Sequence, residues 1–115
     1  MNNEILKKSI ETLDSMLAKN INVIDFKKEN PFTDYFVICE SSNKRQIQAI
    51  VNKFNQLDKE DKLEIRDVDG TKESGWVAID LYDVVVHIFE KSVRQEYELD
   101  KLFYNYPQKM YSSDV

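Results

Sequence analysis

Few side chains in this 115-residue chain could do covalent or metal chemistry. His87 is its only histidine and Cys39 its only cysteine. A single histidine excludes a His-rich metal site and a two-histidine proton relay, and a single cysteine excludes a disulfide framework or a cysteine-rich zinc site within the chain. His87 falls in the apolar run VVVHIF, where a buried, hydrogen-bonded structural histidine is expected. Cys39 sits in YFVIC with no activating cation nearby in sequence, so it is a poor nucleophile to pair with His87. Asp67, Asp69, Asp80 and Asp83 raise the alternative of a divergent metal-dependent enzyme that uses carboxylates and magnesium. Against it, Asp67 and Asp69 are expected in a loop, and Asp83 is expected to turn a hairpin. The glycines, Gly70 and Gly75 in GTKESG, bring neither a Walker-type lysine nor a GxGxxG pattern, so no phosphate cradle is expected. The expectation is a non-enzyme with no cofactor and no metal.

The elements that must position these residues centre on Gly70–Phe89, GTKESGWVAIDLYDVVVHIF. Val84, Val85, Val86, Ile88 and Phe89 leave no polar face, which predicts a strand in mid-sheet covered on both sides. The strand before it alternates, with Val77, Ile79 and Leu81 on one side and Trp76, Ala78, Asp80 and Tyr82 on the other. A tryptophan beside a carboxylate suits a partner better than bulk water, although the same Trp could simply cap the core next to the loop.

Elsewhere, Leu6, Ile10, Leu13 and Leu17 predict an amphipathic helix over residues 3–20, followed by a strand at 22–26. Asp34–Glu40 reads as a buried strand. Asn43 with Gln46 resembles a capping box, and Ile47, Ile50, Val51, Phe54 and Leu57 then predict a helix over 44–58. Leu63, Ile65 and Val68 predict an exposed or edge strand. Ser92 with Gln95 predicts the start of a last helix, whose apolar side is Tyr97, Leu99, Leu102, Phe103 and Tyr106 and which Pro107 stops. The expected architecture is a single α/β domain over residues 1–107, a mixed five-stranded sheet with flanking helices, and a mobile tail at 108–115. With no secretory leader and no apolar run of about 20 residues, a cytoplasmic protein is expected.

Charge is unevenly distributed. Residues 1–66 are neutral in sum, so the formal net charge of -5 lies in residues 67–115. That sign disfavours phosphate binding as the main task and favours a basic partner, plain solubility being the simpler reading. Lys44, Arg45 and Lys53 on the second helix could support an RNA-binding module, against which the neutrality of residues 1–66 argues.

Four segments in order carry a resemblance: TDYFVIC at Thr33–Cys39, SSNKRQIQAI at Ser41–Ile50, Gly70 with WVAIDLYDVVVHIF at Trp76–Phe89, and RQEYELDKLF at Arg94–Phe103. Through them the chain resembles the ribosomal silencing factor family, also called the Iojap family, over nearly all of residues 3–104. The resemblance implies a nucleotidyltransferase-like fold without the catalytic motif. It also implies a non-catalytic repressor of translation under nutrient limitation, which binds the large ribosomal subunit through large-subunit ribosomal protein fourteen, blocks subunit joining and is often a homodimer when free. Neither membrane association nor direct sequence-specific nucleic-acid binding is implied. Carried over, Trp76 would anchor the partner and Asp80 would pair with one of its basic side chains. Ala78, Tyr82, Gly70 and Lys72 complete the expected surface. The sequence departs from the family at Tyr82, where glycine is usual, at Phe103, where the closing tryptophan is usual, and at Glu96.

Overall fold

The computed structural model describes residues 3–111. Chain order is α1 (Glu4–Ser15), β1 (Lys19–Asp25), β2 (Tyr35–Ser41), α2 (Lys44–Lys59), β3 (Asp67–Thr71), a 3-10 turn (Lys72–Ser74), β4 (Trp76–Asp80), β5 (Val84–Glu90), α3 (Lys91–Tyr97), α4 (Leu99–Leu102) and β6 (Gln108–Met110). The strands form one mixed sheet in the order β3-β4-β5-β2-β1-β6. The apolar strand lies in the interior as its composition requires, with β4 antiparallel on one side and β2 parallel on the other.

Alternation divides β5 between two cores. Val84, Val86 and Ile88 join Val77, Ile79, Leu81, Val37 and Cys39 beneath the apolar stripes of α1 and α2. On the opposite face Phe89 joins Ile24, Phe26 and Ile38, covered by Leu99, Phe103 and Tyr106. Phe26 receives the rings of Phe36, Phe103 and Tyr106 edge-on, with centroids at 4.9, 5.1 and 5.1 Å, the arrangement that aromatic quadrupoles favour. Half of the expected capping box forms: Asn43 Oδ1 accepts from the Gln46 N–H at 2.8 Å, while the Gln46 side-chain oxygen reaches past Asn43 to accept from the Ser42 N–H.

Four expectations are corrected. The first helix stops at Ser15, and Leu17 is not part of its buried stripe. Leu17 adopts φ 64 and is 74% exposed, closing the helix through Leu17 N–H to Asp14 O and Ala18 N–H to Leu13 O. This is a Schellman closure with leucine at the position where glycine is usual. Second, residues 63–66 are not a strand. Leu63 is buried as a plug beneath the helices, Ile65 N–H is held by Asp58, and the edge strand begins at Asp67, so Asp67 and Asp69 lie on β3 and not in a loop. Third, the last helix is broken. Glu98 takes φ 51 between α3 and α4, which turns Leu99 and Phe103 onto the sheet, and no side chain caps the start of α3. Fourth, the sheet has six strands, because Gln108–Met110 pairs antiparallel with Asn22–Ile24 where a patternless tail was expected. Residues 112–115 of that expected tail lie outside the described residues.

Arg94 holds this C-terminal arrangement in place. Its guanidinium donates to Glu40 at 2.9 Å, to Asp100 at 2.9 Å and to the Asn20 carbonyl at 2.7 Å. Asn22 donates in turn to Asp100 and to Gln108 of β6. Burial raises the Asp100 pKa, but hydrogen bonds from Arg94 and Asn22 and the Arg94 charge outweigh it and leave the carboxyl below its ordinary value. A depressed folded pKa means that the carboxylate stabilises the fold at neutral pH and that this contribution fades as pH falls through the folded pKa. Urea midpoints measured from pH 7 downward should therefore fall at the acid end, and Asp100→Asn should start lower at pH 7 and lose less on acidification. Leu17→Gly, which relieves a left-handed leucine while removing little buried surface, should raise stability by about 0.5 kcal/mol in the same assay.

Candidate partner-binding face

β4 presents Val77 and Ile79 to the α1/α2 core and Trp76, Ala78 and Asp80 to the other face. Since α3 and α4 cross over β5, β2 and β1, the β3–β4 side of that face stays open among the described residues. A cleft of about 320 Å³ forms there, lined by Asp69, Gly70, Ser74, Trp76, Ala78, His87 and Tyr97. A larger depression, about 440 Å³ beside Asp25, Lys27, Lys28 and Asp34, carries both charge signs, with Lys28 and Asp34 paired at 3.7 Å.

Trp76 defines the cleft. Its ring stacks on Phe89 with centroids 4.8 Å apart and planes 28° from parallel, and Tyr97 lies 4.8 Å away at the rim. Its indole Nε1–H donates to His87 Nδ1 at 3.1 Å. An indole nitrogen can only donate, so Nδ1 is the bare nitrogen of His87 and the proton sits on Nε2, which is buried and has no hydrogen-bond partner among the described residues. Burial lowers the His87 pKa to about 4, so the ring is neutral at pH 7. The histidine is thus buried and hydrogen-bonded as expected, but its partner is the tryptophan of the candidate surface.

Asp80 occupies the far end of β4 and is already engaged. Its Oδ2 accepts from Arg66 Nε at 3.0 Å and Nη2 at 2.9 Å, and its Oδ1 accepts from the Tyr82 N–H at 2.8 Å. The Arg66 guanidinium also lies 4.8 Å from the centre of the Tyr82 ring. Tyr82 stands where glycine is usual in the resembling family, and its φ of 71 is a conformation glycine adopts without strain. Gly70 is demanded by its surroundings: at φ 91, a Cβ there would lie 2.2 Å from the Trp76 carbonyl oxygen. Lys72 lies in the 3-10 turn outside the cleft, its carbonyl accepting from the Gly75 N–H.

Of the six residues expected on this surface, the structure gathers Trp76, Ala78 and Gly70 in the cleft, places Asp80 and Tyr82 with Arg66 beyond it, and leaves Lys72 apart. Sequence reasoning missed Tyr97 as a cleft residue, treating it as helix core, and missed Asp69, Ser74 and Arg66. An alternating reading of VDGT as strand would have put Asp69 opposite Ala78, where the register has it.

The alternative chemistries find little support. Cys39 is aligned with Ile88, and its neighbour Ile38 with His87, so the thiol and the imidazole project from opposite faces of the sheet. Burial pushes the Cys39 thiol up to about 12. Among the described residues no three His, Cys, Asp or Glu side chains gather as a metal set would, and Arg66 occupies the Asp80 carboxylate that such a site would need. Gly70→Ala, which forces a left-handed alanine against a backbone carbonyl, should lower stability by about 3 kcal/mol in urea unfolding monitored by circular dichroism.

Comparison with known proteins agrees with this picture. The family described as "Ribosomal silencing factor during starvation" matches residues 2–114. The ribosomal silencing factor of Halalkalibacterium halodurans is 34% identical over 106 residues, covering 92% of this chain and 91% of that protein. A mouse protein named mitochondrial assembly of ribosomal large subunit protein 1 is 31% identical over 84% of this chain and 46% of its own length. A crystal structure from Bacillus halodurans superposes with a TM-score of 0.79 at 33% identity, covering 94% of this chain and 98% of the other. With its sheet, its flanking helices and nearly its whole length in common with these relatives, the chain belongs to the family of ribosomal silencing factors.

Proposed function

We propose that this protein represses translation by occupying the large ribosomal subunit on the face that meets the small subunit, through large-subunit ribosomal protein fourteen. The mechanism needs affinity and bulk and no bond-making: a folded domain held there fills space that the small subunit must enter. The observation that carries the reading is the uncovered β3–β4 face, where a tryptophan sits in a cleft lined by Asp69, with Asp67 further along β3 opposite Asp80 and neither Asp67 nor Asp69 in an ion pair among the described residues. An aromatic anchor within an acidic surround suits a basic protein surface, where the central ring supplies affinity and the rim charges steer the approach. The name of the mouse relative points to the same subunit. Action in the cytoplasm, repression under nutrient limitation, and homodimer formation by the free protein belong to the same reading.

Asp80 has a different part in this proposal from the one its residue type suggests. One carboxylate oxygen takes both donors from Arg66 and the other takes the Tyr82 N–H, so Asp80 shapes the β4–β5 turn, and Arg66 and Tyr82 present the outer surface at that end.

The test is co-sedimentation with isolated large subunits, followed by addition of small subunits. The native protein should pellet and block joining. Trp76→Ala should remain folded and bind with a loss of about 2 kcal/mol, roughly thirtyfold. Native protein left in the supernatant at moderate salt would refute the proposal.

A further inference from the structure

We propose that His87 is the positioning residue for partner binding: its Nδ1 fixes the edge of the Trp76 indole, so that the ring stands preorganised in the open cleft. This rests on the reading of Trp76 as the partner's anchor. Stacking on Phe89 sets the plane of the indole but permits it to slide and rotate within that plane. The bond from Nε1 to His87 Nδ1, 3.1 Å long, removes that freedom. His87 is itself held firmly: it is 6% exposed on an interior strand, its ring meets Phe36 at 4.4 Å and Phe89 at 6.3 Å, and Ala78 lies opposite in register.

The chemistry of the pair points the same way. A histidine kept only for packing could be replaced by an apolar residue with gain, since a buried nitrogen without a partner is a cost to folding. Nε2 of His87 is such a nitrogen, since none of the described residues offers it an acceptor. Among the described residues the one hydrogen bond of the His87 side chain is to a half-buried side chain of the binding cleft. The orphaned Nε2 is therefore the cost of presenting Nδ1 to the tryptophan. Ordering a large rotatable ring before the partner arrives removes that entropy loss from the binding step.

Trp76 is the only tryptophan in the chain, so a single indole N–H resonance reports on the pair. In nitrogen-proton correlation spectra the native resonance should be displaced downfield and slow to exchange. His87→Leu should return it toward the free-indole position, and His87→Asn, whose side-chain oxygen can replace Nδ1, should keep it displaced. Binding to large subunits should weaken roughly tenfold in His87→Leu and stay near native in His87→Asn. In the Trp76→Phe background, which has no N–H to position, His87→Leu should cause no further loss. If His87→Leu folds poorly, Trp76→Phe, which leaves His87 in place and removes only the indole N–H, carries the test: it should bind more weakly than the native protein by a similar factor, and native-like binding by a folded Trp76→Phe overturns the proposal. A His87→Leu variant that shifts the indole resonance yet binds as the native protein does overturns the proposal and leaves the proposed function standing. An unmoved resonance overturns it as well. Native protein that does not pellet with large subunits overturns the proposed function and, with it, the role given to His87.

Discussion

The parallel pairing of β2 with β5, seven residues in register, is the constraint from which the rest of the molecule follows. Two parallel strands cannot be joined by a tight turn. The chain leaving β2 must travel as α2 over one face, build the β3–β4 pair outside the future position of β5, and only then return through the turn at Leu81–Asp83. Once β5 is placed, both positions beside it are filled, and the remaining chain has to cross the second face to reach a free edge next to β1. That crossing is α3, α4 and β6. It covers the side of the sheet built first and leaves the β3–β4 side uncovered, so the open cleft is a product of chain topology as much as of side-chain choice.

A crossing segment of two short helices needs anchoring; Leu99, Phe103 and Tyr106 supply the apolar part by packing on the second core, but such contacts are non-directional and do not by themselves fix its register. The polar chain running from Glu40 through Arg94, Asp100 and Asn22 to Gln108 supplies the registration. Charged groups in such a position contribute less net energy than their number suggests, because each is partly desolvated. What they fix is place: Arg94 reaches β2 and the start of β1 simultaneously, and no shifted seating of α3 satisfies both.

How much of this was legible in the sequence follows from where the signal resides. Val84–Phe89 announced a central strand because burial on both faces leaves no room for polar residues, and Asn43 with Gln46 announced a helix start because the cap is a local interaction of four residues. The outward face of β4 could be read from strict alternation. By contrast, β6 is three exposed residues, Gln108–Met110, whose strand character comes entirely from the edge of β1. The breaks at Leu17 and Glu98 use left-handed residues without glycine, so the usual punctuation was absent. Ionic partners were invisible for a related reason. Asp80 was expected to await a partner's cation, and nothing in its neighbourhood of sequence revealed that Arg66, fourteen residues earlier, would reach it.

The outer edge strand β3 is short, exposed along its whole length and, among the described residues, paired with a strand on one side only, the geometry from which sheets extend into neighbouring molecules. Asp67 and Asp69 point to the same side of it, and Gly70 at φ 91 bends the strand immediately after them. A second copy approaching edge to edge in antiparallel fashion would bring those carboxylates toward their own duplicates across the new ladder, and like charges opposed in a ladder repel. The carboxylates that give this flank its acidity therefore also protect it against runaway self-assembly, which matters for a protein whose most hydrophobic strand lies only two positions in from that edge.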